Sequence, residues 1–189
     1  KGVMMDLFRR PDKVMAACEK LLPIMIDSAV ASAKRTGVMR VFIPLHKGLD
    51  GFMSDQQFHR FYWPHMKELL NALIREGITP WVLAEGSCNT RLEAFRDVPP
   101  GKVIYHFEAT DMFKAKEMMR DRCCIRGNVP ATLLSVGSPE DVKAYCKKLI
   151  DVCGEGGGYI MDASTTLADA KIENVQAMYD FTREYGVYK

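Results

Sequence analysis

Five short apolar runs, each followed by a stretch with helical patterning, limit what this chain can fold into more than any other feature. They are MRVFIPL (39–45), PWVLAEG (80–86), KVIYHFEA (102–109), CCIRGNV (123–129) and GYIMDA (158–163). Each is apolar almost throughout instead of alternating apolar and polar, the pattern of strands covered on both faces in a parallel sheet. Helical patterns fill the gaps. The first opens at Pro11 and stops at Gly37, with Pro23 expected to kink or break it. The second starts at Ser54, a good N-cap, and stops at Gly77; Pro64 inside it marks a short helix followed by a longer one. Thr110 is expected to cap the third. Ser138 caps the fourth, with Pro139 in the first position and Glu140 and Asp141 at the positive end of the dipole. The last stops at Gly186. Right-handed βα units in series build either an open doubly wound sheet or a barrel, and the periodicity leaves both open.

The stretch DVCGEGGGYIMDAS (151–164) looks at first like a phosphate cradle. Such a loop follows a strand and opens a helix, so that free backbone N–H groups face the anion. Here the helical run comes first and the strand comes after, and no Gly-Lys-Ser or Gly-Lys-Thr is present. The glycines therefore read as a helix stop and the loop entering the last strand. Any chemistry belongs at the other end of that strand, around Asp162 to Thr166.

A chain of 189 residues with a formal charge of +2 lacks the basic stripe of a nucleic-acid binder. It has no apolar run of membrane-spanning length and no signal-peptide pattern. Six cysteines without paired spacing read as reduced thiols of a cytoplasmic protein. No linker or repeat divides residues 1–189, which read as one domain. The chain begins at Lys1, directly ahead of a helical segment, which suggests that an earlier part is missing.

In either architecture, sites gather where strands end. That rule selects His46, Lys47 and Asp50 after the first strand, and Glu85, Ser87 and Cys88 after the second. The third contributes His106, Glu108 and Asp111, the fourth Arg126 and Asn128, and the fifth Asp162, Ser164 and Thr165. Of these, Glu85, Asp111 and Asp162 are the candidate catalytic carboxylates. Lys47, Asn128 and Ser164 are the candidate substrate contacts. His46, Glu85 and Glu108 are the candidate ligands of zinc or another divalent metal. Without a metal, Lys47 is the expected counter-charge of Glu85. His106, inside its strand, is expected to point toward the helix layer.

The segment RGNVPATLLSVGSPEDVKAYCKKLIDVCGEGGGYIMDAS, with the later IENVQAMYDFTREYG, resembles the C-terminal part of the uroporphyrinogen decarboxylase superfamily. The upstream GLDGFMSDQQFHRFYWPHMKELLNAL is similar to that family's Gly…Ser…Phe…Phe…Pro segment. The resemblance implies a (β/α)8 barrel of the TIM type with its cleft at the carboxyl ends of the strands. About 250 residues make such a barrel, so this chain would hold roughly its last five βα units, without the N-terminal strands. Open edges of such a piece favour self-association into a homo-oligomer.

The resemblance also implies two chemistries. Decarboxylases of the family remove acetate carboxyls from a tetrapyrrole in porphyrin biosynthesis. Their relatives move a methyl group between a small substrate or thiol and a corrinoid carried by a partner protein, often through zinc on a His-x-Cys and a later Cys. Those zinc positions fall on Glu85, Ser87 and the neighbourhood of Thr165, so the thiol-activating pattern is not kept. IMDASTTLADA also departs from the histidine-containing glycine loop of the decarboxylases. The expectation is a methyltransferase acting on a small substrate, with the decarboxylase and a non-catalytic barrel piece as alternatives.

Overall fold

A computed structural model describes residues 2–188. Its five strands are β1 (Arg40–Pro44), β2 (Thr79–Ala84), β3 (Ile104–Phe107), β4 (Cys124–Arg126) and β5 (Tyr159–Ile160), one within each apolar run. They pair in the order β1-β2-β3-β4-β5, every pair parallel. Before β1 come α1 (Gly2–Arg9) and α2 (Pro11–Thr36). Between β1 and β2 lie α3 (Asp55–Gln57), a π-helical turn (Phe58–Tyr62) and α4 (Trp63–Arg75). Helix α5 (Leu92–Phe95) follows β2, α6 (Met112–Met119) follows β3, α7 (Ala131–Val136) and α8 (Pro139–Cys153) follow β4, and α9 (Ile172–Tyr185) follows β5. Sequential parallel strands joined by right-handed crossovers carry their helices on one face, which is an arc of a (β/α)8 barrel. Among the described residues no helix is long and apolar enough to cross a membrane.

Local chemistry explains the helix starts. The Ser54 Oγ accepts from the Gln57 N–H at 3.1 Å and the Gln57 side chain accepts from the Ser54 N–H at 3.1 Å, a reciprocal cap. Ser138 and Asp141 make the same pair at the start of α8. Pro64 sits in the first turn of α4, where its missing N–H costs nothing. Two expectations are corrected. Helix α2 runs unbroken through Pro23, because Pro23 and Glu19 lie on the exposed face, where water can satisfy the carbonyl that the proline leaves unbonded. The cap of α6 is Asp111, not Thr110. Thr110 is only 1% exposed, and its hydroxyl instead accepts from the Cys88 N–H at 2.9 Å.

Residue parity along each strand divides the sheet into two faces. Val82, Ala84, Tyr105, Phe107 and Ile125 are buried in the core beneath the helices. Phe95 of α5 is the centre of that layer, stacked on Tyr105 at 4.7 Å and in contact with Phe58, Trp63 and Phe107. Residues of the other parity, Phe42, Trp81, His106 and Arg126, line the inner face of the arc and touch one another. At the amino end of β5, Gly156, Gly157 and Gly158 all take positive φ, a turn that side chains with a Cβ resist. The turn brings the Gly157 carbonyl to the buried Lys116, whose ammonium donates to it at 2.7 Å.

Candidate functional site

The carboxyl ends of the strands bring several of the expected residues together. Backbone bonds lock the rim: Leu45 N–H donates to Leu83 O at 2.8 Å and Glu108 N–H to Ala84 O at 3.1 Å, so the ends of β1, β2 and β3 are level. Across it, His46 Nδ1 lies 2.6 Å from Glu85 Oε2. The counter-group of Glu85 is therefore His46. Lys47 instead places its ammonium 4.0 Å above the centre of the Phe52 ring, a cation–π contact. The metal set does not assemble: among the described residues no three His, Cys, Asp or Glu side chains converge as a metal site requires. His46 and Glu85 meet, without a third donor beside them among the described residues.

The other expected residues hold the framework as well as facing the cleft end. Asp111 accepts from the Phe113 and Lys114 N–H groups at 2.9 and 3.1 Å. Ser164, 6% exposed, accepts from the Ala131 N–H at 3.1 Å and thereby ties β5 to the start of α7. Asn128 donates to the Glu108 and Thr110 carbonyls at 3.2 and 2.9 Å, which bridges the ends of β3 and β4. Its Oδ1 is buried with no partner.

Asp162 leads to a cluster in which Arg126 and His106, both expected at strand ends, are joined by Trp81, which was not expected there. Its Oδ2 accepts from Arg126 Nε at 2.5 Å and also from Arg126 Nη2. The guanidinium carbon lies over Trp81, 4.2 Å from the ring centroid. Trp81 in turn stacks on His106 at 6.2 Å. His106 thus faces inward and not toward the helix layer, with 7% of its surface exposed. Its Nε2 donates to the Ala163 carbonyl at 2.9 Å, and the Asp162 carboxylate is 4.0 Å away. Burial holds the His106 pKa below the usual histidine range. A neutral ring that donates through Nε2 offers Nδ1 as an acceptor, and that atom is buried without a partner. The one signal in the sequence is that His106 and Glu108, the two polar residues at the end of KVIYHFEA, are two apart and so share a face.

On the helix side of the rim, Arg91 anchors the β1 and β2 loops. It is 2% exposed, donates to Asp55 and the Met53 carbonyl at 2.6 and 2.8 Å, and lies over Phe58. Asp50 accepts from Ser87 and Thr90, each at 2.7 Å. Burial alone would raise the Asp50 pKa, but these hydrogen bonds outweigh it and the net shift is downward. Cys88, at the same rim, is buried, and burial pushes its thiol up to about 12. It is a poor nucleophile and a poor ligand there. Cys123 is likewise pushed to about 12, and Cys146 and Cys153 to about 11. A chromogenic disulfide reagent in mildly alkaline buffer is expected to label at most the two half-buried thiols, Cys18 and Cys124, in the native protein and all six in denaturant. Rapid native labelling of Cys88 would contradict its burial.

The uroporphyrinogen decarboxylase (URO-D) family model matches residues 1–185. The chain belongs to that family. Within it, the uroporphyrinogen decarboxylase of Chlorobium phaeovibrioides is 24% identical over 184 residues, covering 94% of this chain and 51% of the relative. That of Chlorobium phaeobacteroides is 25% identical over 140 residues, covering 71% and 39%. Among solved structures, a methyltransferase from Methanosarcina mazei superposes with a TM-score of 0.80 at 19% identity, covering 97% of this chain and 53% of that one. At that identity the likeness is one of fold. This URO-D family chain spans about half the length of the relatives it matches.

Proposed function

We propose that this URO-D family chain is part of an enzyme that moves a methyl group from a small substrate to a corrinoid carried by a partner protein. The charge layout at the carboxyl ends of the strands carries the reading. Asp162 after β5 and Arg126 at the end of β4 match each other's charge, while Glu85 and Glu108 after β2 and β3 stand against Lys47 after β1. A tetrapyrrole bearing many carboxylates needs several unmatched cations and finds Arg126 already taken, whereas a small neutral substrate needs none. The fold shared with the Methanosarcina mazei methyltransferase supports the same reading. The names of the curated relatives favour decarboxylation as the second reading.

The corrinoid supplies the acceptor for the methyl group. The protein's part is to hold the substrate and manage a proton. When a methyl ether is the donor, its carbon–oxygen bond breaks with both electrons left on oxygen, and that oxygen must take up a proton. The His46–Glu85 pair, 2.6 Å apart at the rim, is placed to supply it. The test uses the full-length protein with a reduced corrinoid protein and a methyl ether, following the corrinoid absorbance, beside a parallel incubation with uroporphyrinogen. Methyl transfer that falls about 100-fold in Glu85→Gln is the expected result. Decarboxylation without methyl transfer would overturn the reading in favour of the second.

A further inference from the structure

We propose that the inner face from Trp81 through His106 to Arg126 and Asn128 is a binding site for an uncharged, ring-bearing ligand whose polar group both donates and accepts a hydrogen bond. The inference rests on taking that face as the substrate side, and it names the ligand class the face selects.

Three observations carry it. The first is the state of Arg126. Two of its donors, Nε and Nη2, point to Asp162 Oδ2. Five N–H groups belong to a guanidinium, so others remain to meet an acceptor, but the charge is already matched. A carboxylate brought to Arg126 would also meet Asp162.

The second is a set of polar atoms buried without partners. Trp81 Nε1, His106 Nδ1 and Asn128 Oδ1 are all in this state. His106 and Asn128 are 7% and 8% exposed. Buried polar atoms are nearly always paired, so three orphans in one part of the fold call for an explanation. A tryptophan nitrogen can only donate, an amide oxygen can only accept, and His106 Nδ1 accepts because Nε2 already donates to Ala163. A ligand group that both accepts and donates, such as a hydroxyl, answers both needs.

The third is the wall. Phe42 packs edge-on against Trp81 at 5.0 Å and is 49% exposed, and Ile160 of β5 is 38% exposed. Phe42, Trp81 and His106 thus set three rings side by side on this face, a row that an aromatic ligand can extend by stacking.

The experiment is calorimetric titration of the full-length protein at neutral pH with phenol and with benzoate, two probes of similar shape and different charge. No corrinoid is present, so the result is independent of the reaction. Phenol is expected to bind about tenfold more tightly than benzoate. In Asp162→Asn the Arg126 charge is released, and benzoate is expected to gain about tenfold over its affinity for the unaltered protein. Equal binding of the two probes, or binding of neither, overturns the inference. So does a folded Asp162→Asn protein that gains nothing for benzoate. Should that variant not fold, the ratio in the unaltered protein decides alone. A protein that prefers phenol but transfers no methyl group keeps this inference and loses the proposed reaction. Methyl transfer without the preference has the opposite meaning.

Discussion

Phe95→Ala is expected to destabilise the fold by about 3–5 kcal/mol, the range for emptying a well-packed aromatic site. Phe95 belongs to a helix of only four residues, α5, yet it is fully buried and stacks on Tyr105 at 4.7 Å. It also meets Phe58 and Trp63, from the segment between β1 and β2, and Phe107 of β3. One side chain thus joins three successive βα units. Tyr105 and Phe107 are held by strand pairing and cannot collapse into the space, so much of the cavity term remains. The Tyr105 hydroxyl donates to the Phe95 carbonyl at 3.2 Å, a bond that alanine would keep. Urea unfolding of Phe95→Ala beside Phe113→Ala separates burial from residue type, since Phe113 is 42% exposed. Similar midpoint shifts for the two would mean that the aromatic layer does not hold the arc together.

Gly127→Ala is expected to cost about 3 kcal/mol or more, by backbone strain together with overpacking. Gly127 has φ of 110°, and a Cβ there would lie 2.6 Å from the Phe107 carbonyl oxygen. That oxygen belongs to a paired strand, so it cannot swing aside as a flexible side chain would. Gly101 provides the comparison: its φ is 69°, and a methyl group added there would have nothing within 4 Å. Gly101→Ala carries the strain alone and is expected to cost about 1 kcal/mol. The excess of the first over the second measures the clash, and thermal unfolding of both variants reads it. Equal losses would remove the clash from the account. Because Gly127 stands between Arg126 and Asn128, the same substitution is expected to weaken the phenol binding described above.

The strands were legible in the sequence because each run is apolar on both faces and bounded by helical patterning. That same property hid the inner cluster. In KVIYHFEA the residues Val103, Tyr105 and Phe107 go to the core, so His106 faces inward, but a run apolar at nearly every position gives little sign of which parity is which. The pairing of Arg126 with Asp162 joins residues far apart in sequence, and only the register of β4 against β5 brings them together. At the start of α6 two good caps stand side by side, and the need of the Cys88 N–H for an acceptor decides which one turns outward. The partner of Glu85 depended on loop conformation after β1, where His46 and Lys47 are neighbours with equal claims on paper.

The order in which the strands lie has a kinetic consequence. Arg40 pairs with Thr79, Ile104 with Cys124, and Ile125 with Tyr159, so each new pairing closes a loop of only about twenty to forty residues, a modest entropic barrier. Among the five described strands none waits for a partner made much later. As the chain leaves the ribosome, β1 is available to template β2, β2 to template β3, and so on to β5, in the order of synthesis. The sheet can therefore grow by successive addition, each unit covering the edge left exposed by the one before.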